Sequence, residues 1–280
     1  MTQNILLAPK AGFCMGVSLA LKKLDKAILD NPNCKIYTLG PIIHNPQVLK
    51  QYEQKGVKIG DDKTHFQPGD IVLIRAHGIP FGLEQNLKQK QIKIIDATCP
   101  KVKKAQLLIQ EQSKKRVLLL YGEKNHPEVK GLLSYAQNQI ILFESLQELL
   151  NLQLNSNLEY VLAAQTTQDQ NEFYQIQDYL KRQNISFIAL NTICNATEER
   201  QKEAIELAKK VDFMIVVGGK ISGNTRRLAK VVSKYAPYLH IETSLELDLN
   251  ELSKYSTIGI TAGASTPQEI IDEVILKLKK

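Results

Sequence analysis

Short apolar, β-branched segments alternate with amphipathic segments along the whole chain, and this alternation limits the possible folds more than any other feature. The amphipathic segments have helical spacing, because Val17, Leu21, Leu24 and Ile28 fall on one helical face. Strands that alternate with helices are typical of parallel sheets, so the sequence predicts an α/β protein. The predicted strands are Ile5–Ala8, Lys35–Leu39, Ile71–Ile74, Ile92–Ile95, Val117–Tyr121, Ile140–Phe143, Tyr160–Ala164, Ser186–Leu190, Phe213–Val217, His240–Glu242 and Thr257–Thr261.

Three of the four cysteines share one local setting. Cys14, Cys99 and Cys194 each follow a short apolar run and precede a helical pattern, and they are separated by 85 and 95 residues. The positive end of a helix dipole favours a thiolate at this position. Three such thiolates meeting at one point would form a soft metal site with one coordination position open. Cys34 lacks the setting and is interpreted as structural, and the alternative for any one of the three is a small buried hydrophobe.

The recurrence of strand, cysteine and helix predicts three pseudo-symmetric α/β lobes around a centre. We expect a first lobe at 15–98, a second at 99–193 and a third at 194–280, with the N-terminal segment 1–14 packing on the third. Each lobe would be a small, mainly parallel sheet flanked by helices. The segment Asn151–Glu159, rich in Asn and Leu, is predicted to be a surface loop.

Composition and charge exclude several classes of protein. Four cysteines in 280 residues are too few for a disulfide scaffold, and no run approaches the roughly 20 apolar residues of a membrane span. The N-terminus lacks the basic region of a signal peptide. The chain is basic, with 36 Lys+Arg against 29 Asp+Glu, but the charges are scattered and there is no Trp. We therefore expect a cytoplasmic enzyme with an anionic substrate or acidic partner, and neither nucleic-acid nor membrane binding. We also expect a monomer.

Polar side chains follow many of the predicted strands, where ligands bind in parallel sheets. Three of the five histidines, His44, His77 and His126, lie in these loops, and Glu128 follows His126 closely. A loop histidine is often only a hydrogen-bonding residue, and Glu128 could be a carboxylate that interacts with a helix dipole. The segment Gly218–Thr225 differs from a phosphate-binding loop because Asn224 replaces the lysine, but it can still bind an anion.

Nine motifs occur in the order and at the positions of one known family. They are Gly12-Phe13-Cys14-Met15-Gly16-Val17, Ile43-His44-Asn45, Ala76-His77-Gly78, Asp96-Ala97-Thr98-Cys99-Pro100, His126-Pro127-Glu128-Val129, Gln165-Thr166-Thr167, Thr192-Ile193-Cys194-Asn195-Ala196-Thr197, Ser222 to Asn224, and Thr261-Ala262-Gly263-Ala264-Ser265. Over nearly its whole length the chain resembles the LytB family of 4-hydroxy-3-methylbut-2-enyl diphosphate reductases. One departure is Gly223, where the family commonly has a serine.

The resemblance implies a three-lobed trefoil around a 4Fe-4S cluster, with three irons bound by Cys14, Cys99 and Cys194 and the fourth facing the substrate. It implies reduction of the allylic alcohol diphosphate to isopentenyl and dimethylallyl diphosphate. Because the sequence shows no dinucleotide fingerprint and has a net charge of +7, we expect a reduced ferredoxin or flavodoxin as electron donor. The residues implied to bind the diphosphate are His44, His77, Ser222, Gly223, Asn224 and Ser265. Those implied to act on the hydroxyl and its protons are His126, Glu128 and Thr166, with Thr167 beside them.

Two other functions remain open from the residues. One is a structural zinc or iron–sulfur protein that binds an anion without catalysis. The other is a different three-lobed cluster enzyme, such as a dehydratase similar to quinolinate synthase. The set Ser222, Asn224 and Ser265 argues against the dehydratase, and metal analysis separates the structural protein from the reductase.

Overall fold

Strands and helices alternate in the computed structural model, which describes residues 3–90 and 92–279. The strands are β1 (Asn4–Leu7), β2 (Ile36–Leu39), β3 (Lys58–Gly60), β4 (Ile71–Ile74), β5 (Lys93–Asp96), β6 (Val117–Tyr121), β7 (Ile140–Phe143), β8 (Glu159–Ala164), β9 (Ser186–Ala189), β10 (Phe213–Val217), β11 (Tyr238–Ile241) and β12 (Thr257–Ala262). The helices are α1 (Met15–Asp30), α2 (Pro46–Gln54), α3 (Phe81–Gln89), α4 (Pro100–Gln112), α5 (Pro127–Ser134), α6 (Leu146–Leu150), α7 (Gln170–Arg182), α8 (Asn195–Ala208), α9 (Gly223–Val232), α10 (Leu249–Leu252) and α11 (Gln268–Leu278), and a 3₁₀ helix covers Ser244–Glu246.

These strands form three four-stranded sheets, and every strand pair in them is parallel. The strand orders are β3-β2-β4-β5, β7-β6-β8-β9 and β1-β12-β10-β11. The predicted α/β fold class, with small parallel sheets flanked by helices, is confirmed.

Through three strands of each sheet the chain follows the same path. It runs from an inner strand (β2, β6 or β10), which we call the first inner strand, to the neighbouring edge strand. It then crosses to the second inner strand (β4, β8 or β12). The remaining edge is β5 in the first sheet and β9 in the second, but in the third it is β1, which pairs with β12 so that Asn4 lies opposite Thr257.

The chain divides into two compact units. The two-sheet unit contains Leu19–Ile42 and Glu53–Cys194, and the one-sheet unit contains Met1–Ser18, Ile43–Tyr52 and Asn195–Lys280. The first two sheets belong to the two-sheet unit and the third to the one-sheet unit. The lobe boundaries at 15–98, 99–193 and 194–280 divide the chain in a different way and stay a prediction.

The inner strands are buried on both faces, as expected where helices cover a parallel sheet. In the second sheet, Leu119 and Leu162 pack into one hydrophobic cluster while their neighbours Leu118 and Val161 pack into another. This alternation follows from the two-residue period of a strand. The loops at the carboxyl ends of the inner strands are therefore attached to the most deeply buried strands of each sheet.

Most predicted strands agree with the structure to within one residue at each end, and two strands differ by more. Strand β3 was not predicted, because its three residues Lys58–Gly60 include no apolar run and two of them are exposed. Strand β11 was expected at His240–Glu242 but covers Tyr238–Ile241, which places His240 inside the strand. The loop predicted from Asn151 is present and ends where β8 begins at Glu159. Within the described ranges, none of the helices has the length and apolarity required to cross a bilayer.

Candidate functional site at the strand ends

The backbone of each candidate metal-binding cysteine is held in the same way. The N–H of Cys14 donates to the carbonyl of Ala264 (3.2 Å), that of Cys99 to Ala76 (2.9 Å) and that of Cys194 to Thr166 (2.8 Å). Each acceptor is the second residue after the second inner strand of its sheet. The helix begins at the next residue, so the three cysteines occupy equivalent places in the three sheets.

The thiols have the chemistry of soft-metal ligands. Cys14, Cys99 and Cys194 are half-buried and form no disulfide within the described residues, and the Sγ of Cys14 accepts the N–H of Val17 at 3.5 Å in the first turn of α1. Thiolate ligands suit iron–sulfur clusters, copper(I) and zinc. Cys34 forms no disulfide there either, but it is exposed in the loop between α1 and β2. The first three residues therefore fit a thiolate-ligated group, and Cys34 does not share their setting.

A buried carboxylate lies beside one of these cysteines in the two-sheet unit. Glu128, the second residue of α5, is 1% exposed. Its Oε1 accepts the N–H of Thr166 (2.6 Å), and its Oε2 lies 3.0 Å from the hydroxyl of Thr166. The carbonyl of Thr166 accepts the backbone N–H of Cys194, so one bonded network joins the carboxylate, the hydroxyl and the backbone of Cys194.

Two of the candidate histidines lie together in the same unit. His126 is the N-cap of α5, and its Nδ1 accepts the N–H of Glu128 at 3.2 Å. Neutral His126 therefore carries its proton on Nε2. The rings of His126 and His77 meet edge to face, with centroids 5.2 Å apart and planes at 87°.

The one-sheet unit presents hydrogen-bond donors at the start of α9. Ser222 is the N-cap, and its Oγ accepts the N–H of Thr225. Among the described residues, the Nδ2 of Asn224 and the Oγ1 of Thr225 are buried with no hydrogen-bond partner. Buried donors without partners are rare, and a helix N-terminus favours an anion. This segment therefore fits the oxygens of a phosphate group, and Ser265 lies half-buried in the same unit.

The loop that carries His44 approaches Gly219 in the same unit. A Cβ atom on Gly219 would lie 2.5 Å from the carbonyl oxygen of His44, so only glycine fits there. The next residue, Asn45, caps α2 by accepting the N–H of Val48 at 3.0 Å.

Six of the predicted site residues occupy two equivalent positions of the topology. The third residue after each second inner strand is His77, Thr167 or Ser265. The fifth residue after each first inner strand is His44, His126 or Ser222. The sequence identified these residues one by one, and their equivalence becomes visible only when the strand order is known.

Gln165, to which the sequence assigned no role, connects two loops of the site. It is fully buried after β8; its Oε1 accepts the N–H of Glu123 and its Nε2 donates to the hydroxyl of Thr167, both at 3.1 Å. Its position in the Gln165-Thr166-Thr167 motif is the sequence feature that could have identified it as a site residue.

Glycine follows every first inner strand, at Gly40, Gly122 and Gly218. A Cβ atom on Gly40 would lie 2.8 Å from the Cζ of Arg75, and one on Gly218 would lie 2.5 Å from the hydroxyl of Thr266. Both residues also have positive φ angles, 74° and 141°. These glycines therefore leave room for side chains from the segment after the second inner strand to pack against the end of the first.

We expect Gly122→Ala to destabilise the protein by about 1–3 kcal/mol, because overpacking a core has this cost. Its new methyl group would lie 2.7 Å from Cγ2 of Val129 and 3.2 Å from Cβ of Gln165. Thermal unfolding measures the effect. Gly82→Ala is the matched control, because no atom of the described residues lies within 4 Å of the added Cβ. Equal melting temperatures for the two variants would contradict the steric argument.

The fold and these side chains define an α/β protein with candidate soft-metal ligands, a buried carboxylate and candidate anion-binding groups at the ends of parallel strands. The chain belongs to the LytB protein family, whose model matches residues 5–279.

Curated relatives and solved structures agree with the family. The chain is 55% identical over 278 residues to the 4-hydroxy-3-methylbut-2-enyl diphosphate reductase of Solidesulfovibrio magneticus, covering 97% of each chain. It is 41% identical over 277 residues to the enzyme of the same name from Clostridioides difficile, covering 99% of each. A solved (E)-4-hydroxy-3-methyl-but-2-enyl diphosphate reductase, described as the terminal enzyme of the non-mevalonate pathway, is 39% identical with a TM-score of 0.72 and 99% coverage of both chains. The E-1-hydroxy-2-methyl-but-2-enyl-4-diphosphate reductase of Plasmodium falciparum is 30% identical with a TM-score of 0.92, covering 100% of this chain and 89% of the other.

Proposed function

We propose that this protein is an oxidoreductase that reduces (E)-4-hydroxy-3-methylbut-2-enyl diphosphate to isopentenyl diphosphate and dimethylallyl diphosphate. The observation that carries the proposal is the equivalent setting of Cys14, Cys99 and Cys194 in a chain that matches the LytB family from residue 5 to 279. The name shared by the relatives supplies the substrate. The reaction consumes two electrons and two protons and releases the hydroxyl as water.

Cys14, Cys99 and Cys194 would hold one 4Fe-4S cluster per chain, with one iron left without a protein ligand. When bound, such a cluster supplies electrons one at a time and an open iron that polarises the carbon–oxygen bond. The fit rests on three half-buried cysteines, none in a disulfide within the described residues, whose backbones are fixed by equivalent hydrogen bonds.

The diphosphate is assigned to the donors at the strand ends. His44, His77, Ser222, Asn224 and Ser265 supply side chains, and the N–H of Gly223 lies at the start of α9. The buried, unpartnered Nδ2 of Asn224 supports this assignment most directly in the described chain, since a phosphate oxygen would satisfy it. The diphosphate is remote from the bond that breaks, so its binding positions the hydroxyl for reaction.

Glu128 and Thr166 are assigned to proton transfer. A protonated Glu128 can donate to the hydroxyl oxygen of Thr166, 3.0 Å away, while Thr166 passes its own proton to the leaving oxygen. The hydrogen bond from the N–H of Thr166 to Oε1 keeps Oε2 of the carboxylate next to the Thr166 hydroxyl. His126 directs Nε2 away from its cap bond and is assigned to the substrate hydroxyl, with Thr167 beside it.

The electron donor is proposed to be a small acidic protein such as a ferredoxin or flavodoxin. The sequence contains no dinucleotide fingerprint, and its net charge of +7 favours an acidic partner. A monomeric state and a cytoplasmic location stay predictions.

An anaerobic assay with a reduced dye and the allylic diphosphate tests the proposed reaction. Turnover to the two diphosphate products is expected from protein that contains about four irons and four sulfides per chain. Zinc without sulfide, or no turnover by iron-loaded protein, would favour a structural metal protein.

Asn224→Ala and Ser265→Ala should each raise KM about tenfold or more, since a hydrogen bond to a charged group contributes about 1.5–3 kcal/mol. Steady-state kinetics with the allylic diphosphate measures this. Gly223→Ser is the paired control: Gly223 has no positive φ, so a serine fits the backbone, and its hydroxyl should leave KM unchanged or lower it. If Gly223→Ser abolishes binding, the backbone at Gly223 has a separate requirement.

A further inference from the structure

Arg75 is a buried cation that the proposed chemistry does not use. It follows β4 directly and is 7% exposed. Its Nη1 donates to the carbonyl of Pro41 at 3.2 Å, and its Nε is buried with no hydrogen-bond partner in the described parts of the chain. Burial lowers its pKa to about 10, with no carboxylate contributing, so the side chain stays charged at neutral pH. A buried charge without a counter-ion is costly and points to a function.

The structural task of Arg75 does not need a charge. Gln165 occupies the equivalent position after β8 and also contacts the loop that follows the first inner strand of its own sheet. Arg75 bonds to Pro41 and Gln165 to Glu123, and each bonded residue is the second after its strand. Arg75 also packs against Gly40, and Gln165 packs against Gly122; each glycine directly precedes the bonded residue. Because neutral Gln165 connects its two loops fully, the positive charge of Arg75 requires another explanation.

The position of Arg75 in the chain suggests what the charge is for. The guanidinium lies against Gly40 and Pro41, at the start of the segment that leads to His44. Arg75 also precedes His77 by two residues. Both histidines are assigned above to the diphosphate, the most highly charged part of the substrate.

We propose that Arg75 is a specificity-determining residue whose buried positive charge strengthens binding of the diphosphate group. This inference rests on the proposed function. A charge held away from water acts over a longer distance than one in bulk solvent, and a fixed position avoids reorganisation when the anion binds. Arg75 thus selects for the anionic end of the substrate, while the donors at the strand ends set its orientation.

The test is the affinity of the cluster-loaded protein for inorganic diphosphate, measured anaerobically by calorimetry. Arg75→Gln reproduces the neutral connection made by Gln165, so the fold and melting temperature should be retained. Its Kd for diphosphate should rise about tenfold, which corresponds to about 1.4 kcal/mol. In the assay its KM should rise by a similar factor while kcat at saturation stays near the wild-type value. Arg75→Lys keeps the charge and should stay within about threefold of wild type.

Lys114→Gln is the matched control for net charge, because Lys114 is exposed near the amino end of β6. Wild-type diphosphate affinity in Arg75→Gln, or an equal loss in Lys114→Gln, would overturn the proposal. If Arg75→Gln does not fold, the folded Arg75→Lys variant decides. A tenfold loss of its diphosphate affinity would overturn the proposal, and a near-normal affinity would support it. Failure of the wild-type protein to reduce the allylic diphosphate would instead count against the proposed function, since diphosphate binding is measured without turnover.

Discussion

Replacing Glu128 by Gln should lower kcat by about 10²–10⁴ while the fold, the iron content and the KM stay close to wild type. Gln keeps an oxygen that can accept the N–H of Thr166, so the geometry of the pair is retained. It cannot supply a proton to the hydroxyl 3.0 Å away. Anaerobic steady-state kinetics together with iron analysis measures the effect.

Glu172→Gln is the matched control, because Glu172 is also a carboxylate in the first turn of a helix. It accepts the hydroxyl of Tyr121 at 2.8 Å and the N–H of Leu146 at 2.9 Å, and so holds two elements together. Its replacement should reduce stability and leave kcat unchanged. A near-normal kcat in Glu128→Gln, with full iron content, would transfer the proton role to His126 or Thr166.

Replacing any one of Cys14, Cys99 or Cys194 by Ser should remove most of the bound iron and essentially all turnover. A serine oxygen is a poor substitute for the soft thiolate that an iron–sulfur cluster requires. Iron and sulfide analysis and visible absorbance of anaerobically prepared protein measure the cluster directly, and the assay measures turnover.

Cys34→Ser is the matched control, since Cys34 is exposed and does not share the backbone setting of the other three. It should keep both the iron and the activity. Loss of iron from Cys34→Ser to the same extent as from the others would show that the assignment of ligands is wrong.

Much of the fold could be predicted from the periodicity of the chain. Apolar runs such as Val117–Tyr121 lie in the sheets because parallel strands covered by helices need apolar residues on both faces. Strand β3 could not be predicted, because its pairing with β2 depends on backbone hydrogen bonds more than on its side chains.

Only part of the candidate site could be predicted from the sequence. The common setting of Cys14, Cys99 and Cys194 was visible because each depends on a local pattern of strand and helix. The bonds made by Gln165 and Arg75 were not visible, because each joins segments more than 30 residues apart in the chain. Such contacts depend on the order of the strands, which a single sequence does not determine.

The third sheet takes its edge strand from the opposite end of the chain, and this affects how the protein is made. Strand β1 leaves the ribosome about 250 residues before its partner β12, since Asn4 pairs with Thr257. The first two sheets contain only strands that are close in the chain, so they can form during synthesis. The third must wait for β12, and its long-range pairing slows folding. Until then β1 has no partner strand and the N–H of Cys14 has no Ala264 carbonyl to bind. We therefore expect Cys14 to become competent to bind metal after Cys99 and Cys194.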